Sequence, residues 1–487
     1  MDILLAGFNL DHETIGECAE NTVHPERLTP ETLSAAYARI SRSPLSIPEL
    51  RRAAREEVAE ARKSNRKIVF DMGHSSIAEH AVFNLDILGV SRLAVETIER
   101  FRLCSYTEKS QRYVRLKGDC VLPEEFRHGD LEKDFRALID RQNHLYHRLY
   151  DRIRERLFEK AGEGASVIAI EGFAKEDARY VLSLATETQL GMTLNARNLE
   201  LMIRRSAAHP LAEMKEYGKK LYEAVIAAAP SLVRYVEPTV YDLERGKRLR
   251  ETALSFPPPP GNTVPDEGER VGNATLLDWT GDGDERLAAF LLHSASSIPA
   301  AACRRIARSL PPARREAFVR EALRDMKVHD SPPREFEHIE LAFELVVSAG
   351  CFAQLKRHRM ATLTGQEYDP ELGVTVPPSI EEAGMEKPFR ALAAESENLF
   401  ERVVRKSPSA APYVLTNAHR KRVLIKVNAR ELYHMSRLRE DLHAQWDIRE
   451  TVASMVRLAK RKLPLTFSLA GGKDRFDALY GSRFPEE

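Results

Sequence analysis

The segment from Arg100 to Tyr113, RFRLCSYTEKSQRY, places three arginines, one glutamate and several hydroxyls within fourteen residues. A guanidinium such as Arg112 offers a two-pronged donor, Ser110 a hydroxyl, and the turn between them backbone N–H groups, a set that favours a dianion such as a phosphate. Arginines at helix ends are also commonly solvated or salt-bridged, and that reading stands beside the first. Ser110 lacks a Gly-x-Ser-x-Gly elbow and an evident His–Asp pair, so its expected role is ligand rather than nucleophile. His74, Glu79 and His80 have no third ligand spaced for zinc or iron, so no metal is expected and the histidines read as structural or cofactor-packing. There is no Gly-x-Gly-x-x-Gly fingerprint and no Walker loop, which disfavours Rossmann and P-loop nucleotide sites.

The elements that position these residues occur twice. Glu79-His80 leads into a strand in which Phe83, Leu85 and Ile87 alternate with Asn84 and Asp86, and Glu337-His338 leads into one with Ile339, Leu341, Phe343 and Leu345 in alternation. Each strand is followed by a helical stretch ending in Arg-aromatic-Arg, Arg100-Phe101-Arg102 and then Arg357-His358-Arg359. A third shared landmark is Asn195-Ala196-Arg197 and Asn428-Ala429-Arg430, each opening an amphipathic helix. Between Asp130 and Lys160 apolar residues from Phe135 to Leu157 recur mostly three or four apart, predicting a long scaffold helix.

Length and composition bound what surrounds the site. A chain of 487 residues predicts about three domains or two large ones. Its 73 basic and 73 acidic side chains cancel, which argues against a polynucleotide partner and makes any anion site local. No uncharged apolar run is long enough for a bilayer span, and Asp2 sits where a signal peptide carries positive charge. Five scattered cysteines form no CxxC, so a reducing cytoplasmic location is expected. The Pro/Gly-rich stretch within Ser255–Glu285 predicts an extended connector ending near Asn273. The expected domains are 1–240 and 274–487, with a linker over 241–273.

With these residues in view, the chain resembles the flavin-dependent thymidylate synthases. Their signature R-H-R-x-x-S-x-N-E-x-S-x-R-Y is matched by Arg100, Arg102, Ser105, Glu108, Ser110, Arg112 and Tyr113, with Phe101 in place of His and Thr107 in place of Asn. The resemblance extends through His74-Ser75-Ser76, Glu79-His80 and the two Asn-Ala-Arg motifs to His443-Ala-Gln445-Trp446, covering most of both halves. It implies a tandem duplication: an α+β fold of two copies of the family domain, each a sheet flanked by helices. It also implies FAD-dependent reductive methylation of dUMP to dTMP, with methylenetetrahydrofolate as carbon donor and NADPH as reductant.

The resemblance assigns roles residue by residue. The substrate set divides unequally between the copies. Glu108, Ser110, Gln111, Arg112 and Arg179 stand in the first, where Thr97 replaces a glutamine and Arg205 stands in for a late arginine. The second copy keeps Gln354, Arg357 and Arg439 but has Gly365, Glu367, Asp369 and Pro412 where the first has Glu108, Ser110, Arg112 and Arg179. The implied site is composite, with phosphate held by the first copy and the uracil edge by the second. Arg439 is the expected catalytic residue, favouring the ionised, electron-rich ring. Arg357, His358, Arg359, Asn428, Arg430 and His434 are the expected flavin ligands, with His74, Ser76, Asn195 and Arg197 contributing from the first copy. A homodimer would reproduce the family's homotetramer. Two alternatives remain open: a non-catalytic descendant binding nucleotide or protein, and a flavoenzyme methylating another pyrimidine such as an RNA uridine.

Overall fold

Alternation of apolar and polar side chains produces two sheets of matching topology. In the first, β1 (Asp2–Phe8), β2 (Val82–Ser91), β3 (Cys104–Glu108) and β4 (Glu187–Asn195) pair antiparallel in the order β1-β2-β4-β3. The second has β5 (Glu269–Val271), β6 (Ala274–Trp279), β7 (Glu340–Ser348), β8 (Thr362–Gly365) and β9 (Arg420–Asn428), in the order β5-β6-β7-β9-β8. With β5 set aside as an added edge strand, the two orders coincide. The register agrees too: Val82 pairs with Asn195 and Glu340 with Asn428, so each central strand enters opposite an Asn-Ala-Arg motif. The computed structural model describes residues 1–116, 118–161, 166–256 and 268–485.

Period-two patterning determines which face is covered. Phe83, Leu85 and Ile87 are buried in the first sheet, and Ile339, Leu341, Phe343 and Leu345 in the second. The latter belong to a core that includes Val452, Met455 and Leu458 of the helix Trp446–Lys462. Each such fully buried side chain contributes about 1.5–3 kcal/mol. One local difference separates the copies: β2 carries a bulge at Gly89, φ +68°, where a Cβ would lie 3.2 Å from the Met1 backbone, whereas β7 pairs with β9 without a shift.

Helix starts are duplicated by their caps. Ser91 and Ser348 accept from the N–H of Ala94 and Cys351, starting the helices Arg92–Ile98 and Ala349–Leu355. Asn195 and Asn428 accept from the N–H of Asn198 and Glu431 to start Ala196–Ala207 and Ala429–Arg439. Thus the Asn of each Asn-Ala-Arg motif has a structural duty of its own. The predicted scaffold helix spans Asp130–Ala161.

Two boundaries differ from expectation. Part of the expected linker, Val240–Leu254, is helical, because Thr239 and Asp242 form a reciprocal cap and no proline follows until Pro257. The prolines at 257–260 lie outside the described residues, and Glu269–Val271 is already part of the second sheet. The compact units are also not consecutive: one comprises residues 1–257 and 394–415, the other 258–393 and 416–487. Residues 394–415, second-copy sequence, therefore belong to the first unit. There Gln142 Nε2 donates to Ser396 Oγ and to the Val414 carbonyl at 3.0 and 3.2 Å, and Leu184 N–H donates to the Leu415 carbonyl at 2.8 Å. Buried backbone groups require partners, and these are supplied from far along the chain.

Candidate active site

In the first unit, the helix Arg92–Ile98 delivers the chain to Arg100-Phe101-Arg102, and Tyr106 of β3 fixes that turn by donating its hydroxyl to the carbonyls of Ile98 and Phe101 at 2.9 and 3.2 Å. Glu108 ends β3 in an ion pair with Arg92, both side chains being buried. Beyond it the chain turns, and Ser110 Oγ accepts the Arg112 N–H at 3.1 Å, so this N–H is already engaged within the turn. The Arg112 side chain ion-pairs through Nε with Glu176. Arg179 Nε donates to the backbone carbonyl of that same Glu176 at 3.1 Å.

Two guanidiniums from sequence positions 67 apart therefore gather on one residue. Glu176 was not among the expected site residues; the signal for it is an acid three residues before Arg179 on the helix Val167–Ala178. Gln111 is buried beside this turn.

In the second unit the equivalent helix, Ala349–Leu355, carries Gln354 in its last turn, and the Gln354 amide donates to Gln445 Oε1 at 2.9 Å. Gln445 is fully buried and is a positioning residue that its place in a motif did not reveal. His358 is buried as well. Its Nε2 accepts from Arg439 Nε at 3.0 Å, and its Nδ1 lies 3.4 Å from Glu431. Burial, reinforced by the Arg439 charge, pushes the His358 pKa below the ordinary value, so the ring is neutral at pH 7. A neutral ring with Nδ1–H toward Glu431 leaves Nε2 as the acceptor that Arg439 needs. Arg439 Nη2 also reaches the Gln354 carbonyl at 3.5 Å. The guanidinium is thus oriented at two of its nitrogens, and His434 sets its ring edge-on to His358 at 6.0 Å.

The first unit treats its counterpart differently. Phe101 occupies the His358 position, and the Arg205 guanidinium lies 6.0 Å from the Phe101 ring centroid. By count from the Asn caps, Ser206 rather than Arg205 matches Arg439, eleven residues on in each case. The expected correspondence of Arg205 is therefore corrected: it sits one position earlier on the helix and meets a ring face, which attracts a cation but directs no N–H. The other correspondences agree with the structure: Thr97 and Gln354 are each six residues past the serine cap. Gly365 ends β8 as Glu108 ends β3, and Pro412 precedes Asn428 by the sixteen residues that separate Arg179 from Asn195.

Most of the remaining expected flavin ligands lie near the opposite ends of the Asn-capped helices. Arg197 ion-pairs with Glu79 at 2.5 Å and Arg430 with Glu337 at 3.1 Å, a contact conserved between the copies that joins two motifs read separately in the sequence. Arg430 also donates to the Pro332 carbonyl at 2.9 Å. His74 Nε2 lies 3.3 Å from Arg42, and Ser76 is exposed on the turn Ser75–His80. Arg357 is half-buried and Arg359 exposed after the helix that carries Gln354. Along the helix Ala429–Arg439, Arg430 and Arg439 stand about 14 Å apart at 1.5 Å per residue.

The family model for thymidylate synthase complementing protein matches residues 25–231 and again 275–465. The chain belongs to the flavin-dependent thymidylate synthase family and carries its domain twice. A flavin-dependent thymidylate synthase of Clostridium tetani is 31% identical over 215 residues, covering 43% of this chain and 83% of that protein. Over greater length the chain is similar to a UPF0159 protein of Thermoplasma acidophilum, 24% identical over 484 residues, 90% of this chain and 93% of the relative. A UPF0159 protein of Chlamydia muridarum is 25% identical over 80% of this chain and 77% of its own length. A crystal structure of the flavin-dependent thymidylate synthase of Helicobacter pylori complexed with FAD and dUMP matches 49% of this chain and 100% of its own at 17% identity, TM-score 0.31. Among the described residues no helix is long and apolar enough to cross a membrane.

Proposed function

We propose that this protein is a flavin-dependent thymidylate synthase that converts dUMP to dTMP with methylenetetrahydrofolate and NADPH, acting in the cytoplasm as a homodimer. The reading is carried by complementary retention. The first copy keeps Ser110, Gln111, Arg112 and Arg179 with Glu108, while the second has Glu367, Asp369 and Pro412 at the Ser110, Arg112 and Arg179 positions. The second copy keeps Gln354, Arg357 and Arg439, while the first has Thr97 and Ser206 opposite Gln354 and Arg439. Each site accordingly takes its phosphate grip from a first copy and its base contacts from a second, and two chains supply four copies.

The donor chemistry suits both ligands. Phosphate is matched by the forks of Arg112 and Arg179 with the Ser110 hydroxyl. The flavin is matched by donor-rich side chains, Arg357, Arg359 and His434 near Arg439, with Asn428 and Arg430 near the far end of that helix. FAD, when bound, supplies the hydride transfer; the chain's part is position and field. Arg439, oriented by neutral His358, would bear on the N3 and O2 edge of uracil and favour its electron-rich form, an interaction of the oriented-donor kind that is typically worth about 3 kcal/mol. His358 acts through Arg439 and Glu431 through His358, so both are positioning residues.

The test is direct. Purified protein is expected to carry or take up FAD, seen as flavin absorbance, and to oxidise NADPH only when dUMP is present, with dTMP as product when methylenetetrahydrofolate is added. A colourless protein that takes up no FAD and shows no dUMP-dependent oxidation would overturn the proposal in favour of a non-catalytic descendant.

A further inference from the structure

The second unit holds a cavity of about 570 Å³ whose wall includes Arg270, Arg390, Arg420 and Arg457. A volume of that order accommodates a nucleotide-sized molecule. It opens at the end of the second sheet where β7 finishes and β9 begins, next to Val346 and Arg420. Glu337 and the Asn-Ala-Arg motif stand at the other end of those strands, about 26 Å away at ~3.3 Å per residue, whereas Gln354 comes closer, bonded to Gln445 next to Trp446 of the cavity wall. The cavity includes none of the residues assigned above to dUMP or flavin.

Three of its four guanidiniums have only neutral acceptors. Arg270 Nε donates to the Gly272 carbonyl at 3.1 Å, Arg420 Nε to Thr375 Oγ1 at 2.9 Å, and Arg457 to Ser454 Oγ at 3.1 Å; Arg390 pairs with Glu386 at 2.7 Å. Among the described residues no carboxylate comes within ion-pair distance of the first three. Arg420 is half-buried, and that burial pushes its pKa below the ordinary arginine value. Glu381, Asp447 and Glu450 also line the cavity, but Asp447 accepts the Ser348 hydroxyl at 2.6 Å, and burial together with Asp447 pushes the Glu450 carboxyl up.

Arg420 is half-buried with Asp447 as its counter-charge, Arg270 and Arg457 are exposed, and a guanidinium whose hydrogen bonds end on neutral acceptors is the group best shaped to take a phosphate oxygen pair. The duplicated fold supplies an internal control. Ser91 pairs across its sheet with Glu187, and Ser348 with Arg420, so the first copy has a carboxylate where the second has this arginine. Ser91 hydrogen-bonds Glu213 and Ser348 hydrogen-bonds Asp447; ten residues further along those helices stand Glu223 and Arg457. Two of the four cations are therefore charge reversals at equivalent positions of one scaffold, not a requirement of the fold.

We propose that this arginine-lined cavity of the second unit is a binding site, separate from the dUMP and flavin residues, for a small polyanion of the phosphate-ester class up to nucleotide size.

The probes are inorganic tripolyphosphate and ATP, titrated into the full-length protein while following tryptophan emission, since Trp446 lines the cavity and the chain has 2 tryptophans. Saturable binding that weakens with added salt is expected. Affinity should fall by about tenfold or more in Arg420→Gln/Arg457→Gln, and similarly in Arg457→Glu, an exposed position where the change does not threaten folding. It should be unchanged in Arg112→Ala, which removes the grip assigned to dUMP. A flat titration, wild-type affinity in both cavity variants, or loss of binding in Arg112→Ala would overturn the proposal; none of these outcomes bears on whether dUMP is methylated.

Discussion

Removing one hydroxyl from the second-copy segment should weaken the first unit, and the size of the effect follows from a buried triad. Tyr413 donates its hydroxyl to Glu213 Oε2 at 2.5 Å, and the same carboxylate accepts the Ser91 hydroxyl at 2.6 Å and the Ser91 N–H at 2.7 Å. All three residues are buried in that unit, and Ser91 caps the helix that leads into the Arg100–Tyr113 segment. Burial raises the Glu213 pKa, while these hydrogen bonds, including that of Tyr413, draw it back down. In Tyr413→Phe the carboxylate loses one of three donors, and a hydrogen bond to a charged group is worth about 1.5–3 kcal/mol. A loss of about 2 kcal/mol at pH 8 corresponds to a fall of roughly 4 °C in the melting of a unit this large.

The pH dependence has a definite sign. A group whose pKa is higher folded than unfolded contributes stability that is full below its unfolded value near 4.5 and is lost as pH rises through the folded value. The variant pushes Glu213 further up, so more stability is lost on going to alkaline pH, and the gap between variant and wild type should be smaller at pH 5 than at pH 8. Calorimetry of the full-length protein at both pH values measures it. A change below about 0.5 kcal/mol at pH 8, or a gap that widens toward pH 5, would refute the role given to the triad.

Three further outcomes are expected. Residues 1–257 expressed alone should fail to melt cooperatively, since Gln142, Leu184 and Ser183, which donates to the Tyr413 carbonyl, lose their partners at about 1–3 kcal/mol for each stranded donor; joining residues 394–415 by a linker should restore a transition in calorimetry. Acidification should destabilise the first unit through His209, whose pKa burial, with Arg100 and Lys215, holds down at about 4. The unfolded chain takes up that proton near pH 6.5, so about 3 kcal/mol is lost between pH 6.5 and 4, and His209→Gln should flatten that slope in urea titrations across this range. Arg439→Ala should lower kcat by about 100-fold or more, and His358→Ala by less, with FAD content retained in both; Arg112→Ala should instead act first on the KM for dUMP. Steady-state kinetics beside flavin absorbance separates these cases.

The sequence by itself determined the duplication, because alternation along Phe83–Ile87 and Ile339–Leu345 and the repeated Arg-aromatic-Arg and Asn-Ala-Arg motifs are local patterns that any chain obeying strand and cap geometry displays. It also determined the family and which residue type each copy carries at the motif positions, since residue identity at a fixed motif offset needs no coordinates. Contacts were beyond its reach. That Glu176 ties Arg112 to Arg179, that Glu431 and His358 orient Arg439, and that Glu79 and Glu337 meet the motif arginines depends on side chains brought together from distant positions. The helix at Val240–Leu254 was hidden because proline content was read across a boundary that a two-residue cap controls. The inclusion of residues 394–415 in the first unit was hidden for a deeper reason: a buried carbonyl pairs with whichever donor the tertiary structure brings near it, and chain order does not say which copy that donor belongs to.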